Sequence, residues 1–319
     1  MLILTDEEVK DLLSMKEAIE AVREAFAQLA RGQILMPPRV TMMLGRYDGS
    51  ISSMSSYLEK TEVVATKVIS IYPRNPAEGL PTSSAQILVN SPKTGKAIAL
   101  IDASYLTAVR TGAVTGVAAG YLARRNSRTA AVIGCGIQGR TQAQALAEST
   151  VIENLMCYDI SRIRSQTFAE EMSRELGLDV IPSETSQAAV RDADIIATAT
   201  TSRTPVIQRS WLKEGAFISA IGSFYSDHRE IDSATVRDAK VVVDSKEAVF
   251  AEAGDIILPM KEGVITADHI YAELGELVTG TKKGRTESDN ITLFKSVGLA
   301  IQDSSVAALV VRKWVNSFG

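Results

Sequence analysis

An α/β protein with a doubly wound parallel sheet, preceded by a mostly antiparallel sheet with helices, is the fold class this chain of 319 residues predicts. Two observations point to it. From residue 129 onward, short apolar runs alternate with helical stretches, the pattern of parallel strands joined by crossover helices. Before residue 129, strand-length runs follow one another with turn residues between them, the pattern of hairpins.

The first helices are expected within residues 6–31, where Val9, Leu12, Leu13, Ile19, Val22, Phe26 and Leu29 recur at helical spacing. Ser14 followed by Glu17 has the form of a capping box opening the second of them. Strands are expected at 40–44, 50–55, 63–71, 85–90 and 97–101. Asp48-Gly49 and the stretch Pro92 to Gly95 stand between pairs of these as hairpin turns. A small-residue helix follows Arg110 and runs to about Leu122.

The second sheet begins with Thr129 to Ile133, then Gly134-Cys135-Gly136-Ile137-Gln138-Gly139, a helix, and a second strand ending in Asp159. Strand, glycine turn, helix, strand and acidic residue is the order of a dinucleotide-binding unit. Gly134 permits the tight turn, Gly136 lets backbone approach a pyrophosphate, and Gly139 lets the helix pack on the strand. The helix start then offers unpaired N–H groups to the phosphates. Asp159 stands about twenty residues past the last glycine, where a carboxylate accepts from both ribose hydroxyls. Further strands are expected at 179–181, 195–199, 216–221 and 240–244. Residues 293–314 read as one long helical pattern that ends the chain.

Composition narrows the classes of function. Charged residues are 23%, hydrophobic residues 45% and net charge is −4, which favours neither nucleic acid nor an anionic membrane surface. No apolar stretch reaches the roughly 20 residues that span a bilayer, and the first residues lack a signal-peptide pattern. Cys135 and Cys157 suggest no disulfide framework, so a reducing, cytoplasmic setting is expected. His228 and His269 lack metal-ligand spacing, so no metal is expected.

Several polar residues stand where chemistry could occur. Lys67 shares a strand face with Val63, Ala65, Ile69 and Ile71. A desolvated lysine there would have a lowered pKa suited to proton transfer, whereas an edge-strand lysine would keep its ammonium in water. Arg39, after Pro37-Pro38, and Arg110 offer planar forks that fit a carboxylate, or are solvated surface charges. Loops at the carboxyl ends of parallel strands line a ligand crevice. That makes Ala199, Thr200 and Thr201, and after the next strand Gly222, Asp227, His228 and Glu230, candidates. Asp227 or Glu230 could equally cap the next helix.

In order along the chain, Pro37-Pro38-Arg39, Thr66-Lys67-Val68, Arg110 to Ala113, Gly134 to Gly139, Tyr158-Asp159, Arg229 to Asp232 and Phe294 to Asp303 resemble the ornithine cyclodeaminase/μ-crystallin family. The resemblance implies a nicotinamide-dependent oxidoreductase acting on C–N bonds of amino or imino acids, working as a homodimer. It implies a substrate-binding and dimerisation domain, residues 1–118 with 299–319, into which a Rossmann domain, residues 119–298, is inserted. Arg39, Lys67 and Arg110 would hold the substrate, with Lys67 and Asp227 catalytic. Thr111, Gly134, Gly136, Ile137, Gln138, Gly139, Asp159, Ile160, Arg162, Ala199, Thr200, Thr201 and Gly222 would contact the cofactor. Asp159 favours NAD, while Arg162 and Arg164 leave NADP open. The family's cyclodeaminases and alanine dehydrogenases carry an aspartate where this chain has Phe224. Reduction of a small linear or cyclic α-imino acid is therefore the expected activity. Cyclodeamination of ornithine or lysine, alanine dehydrogenation and crystallin-like binding without turnover are the alternatives.

Overall fold

The computed structural model describes residues 1–287 and 291–318. They form two compact units, residues 1–110 with 299–319 and residues 111–298. The first division falls inside one continuous helix, earlier than the boundary at 118 that the sequence suggests.

The chain enters the first unit through β1 (Leu2–Leu4), then α1 (Asp6–Leu12) and α2 (Met15–Ala30). A reciprocal capping box opens α1, where Thr5 and Glu8 each accept from the other's backbone N–H. Ser14 caps α2 through Glu17 N at 3.3 Å, but its hydroxyl is what meets the Glu17 carboxylate. Then come β2 (Ile34–Leu35), β3 (Val40–Leu44), β4 (Gly49–Leu58), β5 (Val63–Ile71), β6 (Ser83–Asn90) and β7 (Ala97–Asp102). The sheet order is β1-β7-β6-β5-β4-β2, with β3 also paired to β4. All pairs are antiparallel except β1 with β7. α3 (Ser104–Leu122) follows and carries the chain across the unit division.

The second unit runs β8 (Thr129–Ile133), α4 (Ile137–Ser149), β9 (Asn154–Tyr158), α5 (Arg162–Leu176), β10 (Asp179–Pro182), α6 (Ser186–Val190), β11 (Ile195–Thr198) and β12 (Phe217–Ala220). It continues with α7 (Ser233–Asp238), β13 (Lys240–Val243), α8 (Lys246–Glu252), α9 (Gly254–Lys261), β14 (Ile270–Glu273), α10 (Leu274–Val278) and β15 (Thr292–Lys295). Its parallel sheet has the order β10-β9-β8-β11-β12-β15-β13-β14. Strand order reverses between β8 and β11, and the carboxyl ends of those strands define the ligand-binding crevice of such a sheet.

Residues 292–295 correct the expectation of one helix over 293–314. Thr292, Leu293, Phe294 and Lys295 are all fully buried in a strand between β12 and β13. Gly298, at φ +83°, then breaks the chain before α11 (Ala300–Phe318). Asp244 anchors this turn by accepting from Val297 N at 2.8 Å, Gly298 N at 2.9 Å and the Ser296 hydroxyl at 2.7 Å. α11 returns to the first unit and packs on α2 and on β4, β5 and β6.

Candidate active site

In the first unit the strand alternation of β5 decides the status of Lys67. Val63, Ala65 and Lys67 point to the buried face, and Lys67 is 1% exposed. Its cross-strand neighbours are Met54 on β4 and Ile87 on β6, both buried and apolar. Lys67 is therefore the desolvated lysine, not the edge lysine in water. Its Nζ donates to Asp303 Oδ1 at 2.8 Å. Arg110 Nε approaches the same oxygen at 2.9 Å, and Arg110 Nη1 donates to Gln302 Oε1.

Burial lowers the Lys67 pKa to about 7, with the Arg110 and Arg39 charges acting the same way and Asp303 opposing them. Arg110 is buried as well, so it is not a solvated surface charge, whereas Arg39, leading into β3, is half-buried. Asp303 and Gln302 lie in the first turn of α11, where the helix dipole favours a carboxylate. Sequence reasoning assigned neither a role. Asp303 Oδ2 and Gln302 Nε2 are buried without a hydrogen-bond partner among the described residues. Beside Arg110 and the Lys67 ammonium, they leave one acceptor and one donor unused.

In the second unit the glycine turn forms as its spacing requires. Gly134 has φ +100°, and a Cβ there would meet Ala199 O at 2.6 Å. A Cβ on Gly139 would stand 2.0 Å from Gly134 O, so α4 lies directly against the turn. Gly136 is the N-cap of α4, with no side-chain cap and open space above it. This arrangement fits a pyrophosphate, which would accept from the free N–H groups of the first turn. Ile137 is exposed there, and Gln138 is partly buried.

Asp159 closes the turn from the β9 side, accepting from Cys135 N at 3.0 Å and Ser161 N at 2.9 Å. Its Oδ2 lies 3.8 Å from Arg164 Nη1, while Ile160 and Arg162 are exposed. Ala199 abuts Gly134 across the switch point, Thr201 is exposed, and Thr200 and Gly222 are both tied to Glu230. Thr111 is buried, and its carbonyl accepts from Gln142 on α4 at 3.3 Å.

One expectation for the loop after β12 is corrected. Neither Asp227 nor Glu230 caps α7; the N-cap is Asp232, bonding Thr235 N. Asp227 is 76% exposed and paired with His228 Nδ1 at 2.8 Å, a bond that holds its carboxyl below the usual range. Phe224, where the resemblance led one to look for an aspartate, packs against the apolar core of this unit and against Tyr225.

The sequence profile of the Ornithine cyclodeaminase/mu-crystallin family matches residues 1–317. The chain is 39% identical to the alanine dehydrogenase of Archaeoglobus fulgidus, over 97% of this chain and 94% of that protein. It is 48% identical to Thermococcus litoralis Delta(1)-pyrroline-2-carboxylate reductase, whose structure in complex with NADH and L-proline superposes with a TM-score of 0.97 over 99% of this chain and 98% of that one. An archaeal alanine dehydrogenase dimer with bound NAD is 37% identical, with a TM-score of 0.93 over 99% and 97% of the two chains.

Proposed function

Because the chain belongs to the Ornithine cyclodeaminase/mu-crystallin family, we propose that it reduces a small α-imino acid to the amino acid, with NADH as the reductant. The observation that carries this reading is Lys67, a buried ammonium poised near neutrality beside Arg110 and Asp303. The guanidinium forks of Arg110 and Arg39 suit the substrate carboxylate, and Gln302 Nε2 is a further donor for it. The unused Asp303 Oδ2 suits the N–H of the reacting nitrogen. Lys67 gives that nitrogen its proton as the C=N bond becomes CH–NH, and regains one from solvent.

Bound NADH supplies the hydride that adds to the α-carbon. Its pyrophosphate suits Gly134, Gly136 and Gly139 with the first turn of α4. Asp159 beside the turn favours an unphosphorylated ribose, because a 2′-phosphate would meet a carboxylate. Thr111, Ile137, Gln138, Ile160, Arg162, Ala199, Thr200, Thr201 and Gly222 complete the proposed cofactor set.

A homodimer is part of the same reading. The sheet face of the first unit opposite Lys67 exposes Val68, Leu88 and Ile98, and β3 exposes Val40, Met42 and Met43. Such an apolar face on a sheet calls for a covering partner. The two free, buried cysteines suit a reducing compartment, which supports the cytoplasm as its location.

The test is NADH oxidation with pyrroline-2-carboxylate, piperideine-2-carboxylate, iminosuccinate and pyruvate plus ammonia. Turnover of one of them is expected, and oxidation of NADH by none would end the reading. The pH profile is a second expected result. Reduction needs protonated Lys67, so kcat is level below pH about 7. Above it kcat falls about tenfold per pH unit as the donor is lost. A kcat unchanged up to pH 9 would remove Lys67 as the donor.

A further inference from the structure

Glu230 is fully buried in the second unit, and both its oxygens are occupied. Oε1 accepts from Thr200 N at 2.7 Å and the Thr200 hydroxyl at 2.8 Å. Oε2 accepts from Gly222 N at 2.7 Å and the Thr198 hydroxyl at 3.0 Å. One carboxylate thus joins the end of β11 and the loop after it to the loop after β12. The approach is close: a Cβ on Gly222 would lie 2.2 Å from Thr200 O and 2.6 Å from Glu230 Oε1.

The carboxylate is itself held. Asp255, at the start of α9, accepts from Glu230 N at 2.7 Å and Ile231 N at 2.9 Å. Lys295 of β15 pairs with Asp255 Oδ2 at 2.8 Å and donates to Ser223 O at 2.6 Å. Both charges of that pair are 0% exposed. Two carboxylates and one ammonium without water are costly, and apolar residues of similar volume would serve stability as well. What apolar residues cannot do is hold two backbone N–H groups from different loops on one anion.

We propose that Glu230 is a positioning residue for the dinucleotide, with Lys295 and Asp255 as its support. It keeps the 199–201 and 222–223 loops at the fixed separation that a bound cofactor needs. This rests on the dinucleotide binding proposed above and adds residues that need not touch the cofactor.

The test compares Glu230→Gln and Thr198→Val with the wild type. Whichever way the Gln amide turns, its NH2 group faces a backbone N–H, of Thr200 or of Gly222, and releases that loop. Val matches Thr in shape and removes only one donor to Glu230. NADH titrations followed by fluorescence are expected to give a Kd raised about tenfold or more for Glu230→Gln, and a smaller rise for Thr198→Val. KM for the imino acid and kcat at saturating NADH should stay as in the wild type. A lower Tm with unchanged NADH Kd in both variants would make the cluster purely structural and overturn the inference. A wild type that binds no NADH would overturn the functional reading, and this inference with it.

Discussion

Lys67→Met is expected to lower kcat for imine reduction by about 10²- to 10⁴-fold, the range for removing a positioned proton donor. NADH affinity should be unchanged, because Lys67 belongs to the unit that lacks the glycine turn. Met retains much of the lysine's length and sits among Met54 and Ile87 on the same sheet face. Asp303 keeps Arg110 at 2.9 Å, so its carboxylate is not left without a cation. Removing a desolvated ammonium also relieves a burial cost, so Tm should hold or rise. Steady-state rates at neutral pH with titration of NADH decide the matter. A variant that retained wild-type kcat would show that the proton comes from elsewhere.

The opposite truncation has a different signature. Asp303→Ala leaves Lys67 and Arg110, 1% and 8% exposed, facing one another with their shared counter-charge gone. Breaking a buried ion pair by removing one partner costs about 3–5 kcal/mol. Denaturant unfolding should register that loss, and a variant within about 1 kcal/mol of wild type would contradict the buried pairing. Asp303→Asn removes the charge with less loss of packing. Asp303 is the group that raises the Lys67 pKa, so in this variant the fall in kcat should begin at lower pH than in the wild type.

What the sequence disclosed was decided by how local each signal is. The glycine turn and Asp159 lie in one contiguous stretch, each with its own neighbours as context, and they fold as that stretch implies. The face of Lys67 followed from strand alternation, but its burial did not, because the covering element is α11. Asp303 and Gln302 escaped notice because their partners are remote: Lys67 is 236 residues from Asp303, and Arg110 is 192 from Gln302. β15 reads as helix because four residues, Thr292 to Lys295, are too few to show a period that separates the two structures. Only its place between β12 and β13 makes it a strand. Glu230 looked like a helix cap because caps and loop anchors use the same residue type. Its donors come from two loops that are adjacent only after the sheet has formed.

The return of α11 to the first unit constrains the order in which a growing chain can fold. Residues 1–110 leave the ribosome first, yet the Lys67 face of their sheet lacks α11, the helix that packs on β4, β5 and β6. The second unit is contiguous, so every strand of its sheet has been made by the time residue 298 emerges. Domains fold as units during synthesis, ordinarily from the N-terminus onward. Here that order is inverted: the unit made second is the first that can finish. Until α11 arrives, Lys67 lacks the helix that packs on its strand, and the first sheet remains open on its apolar face. Chaperone dependence of the nascent chain should therefore reside in the first unit.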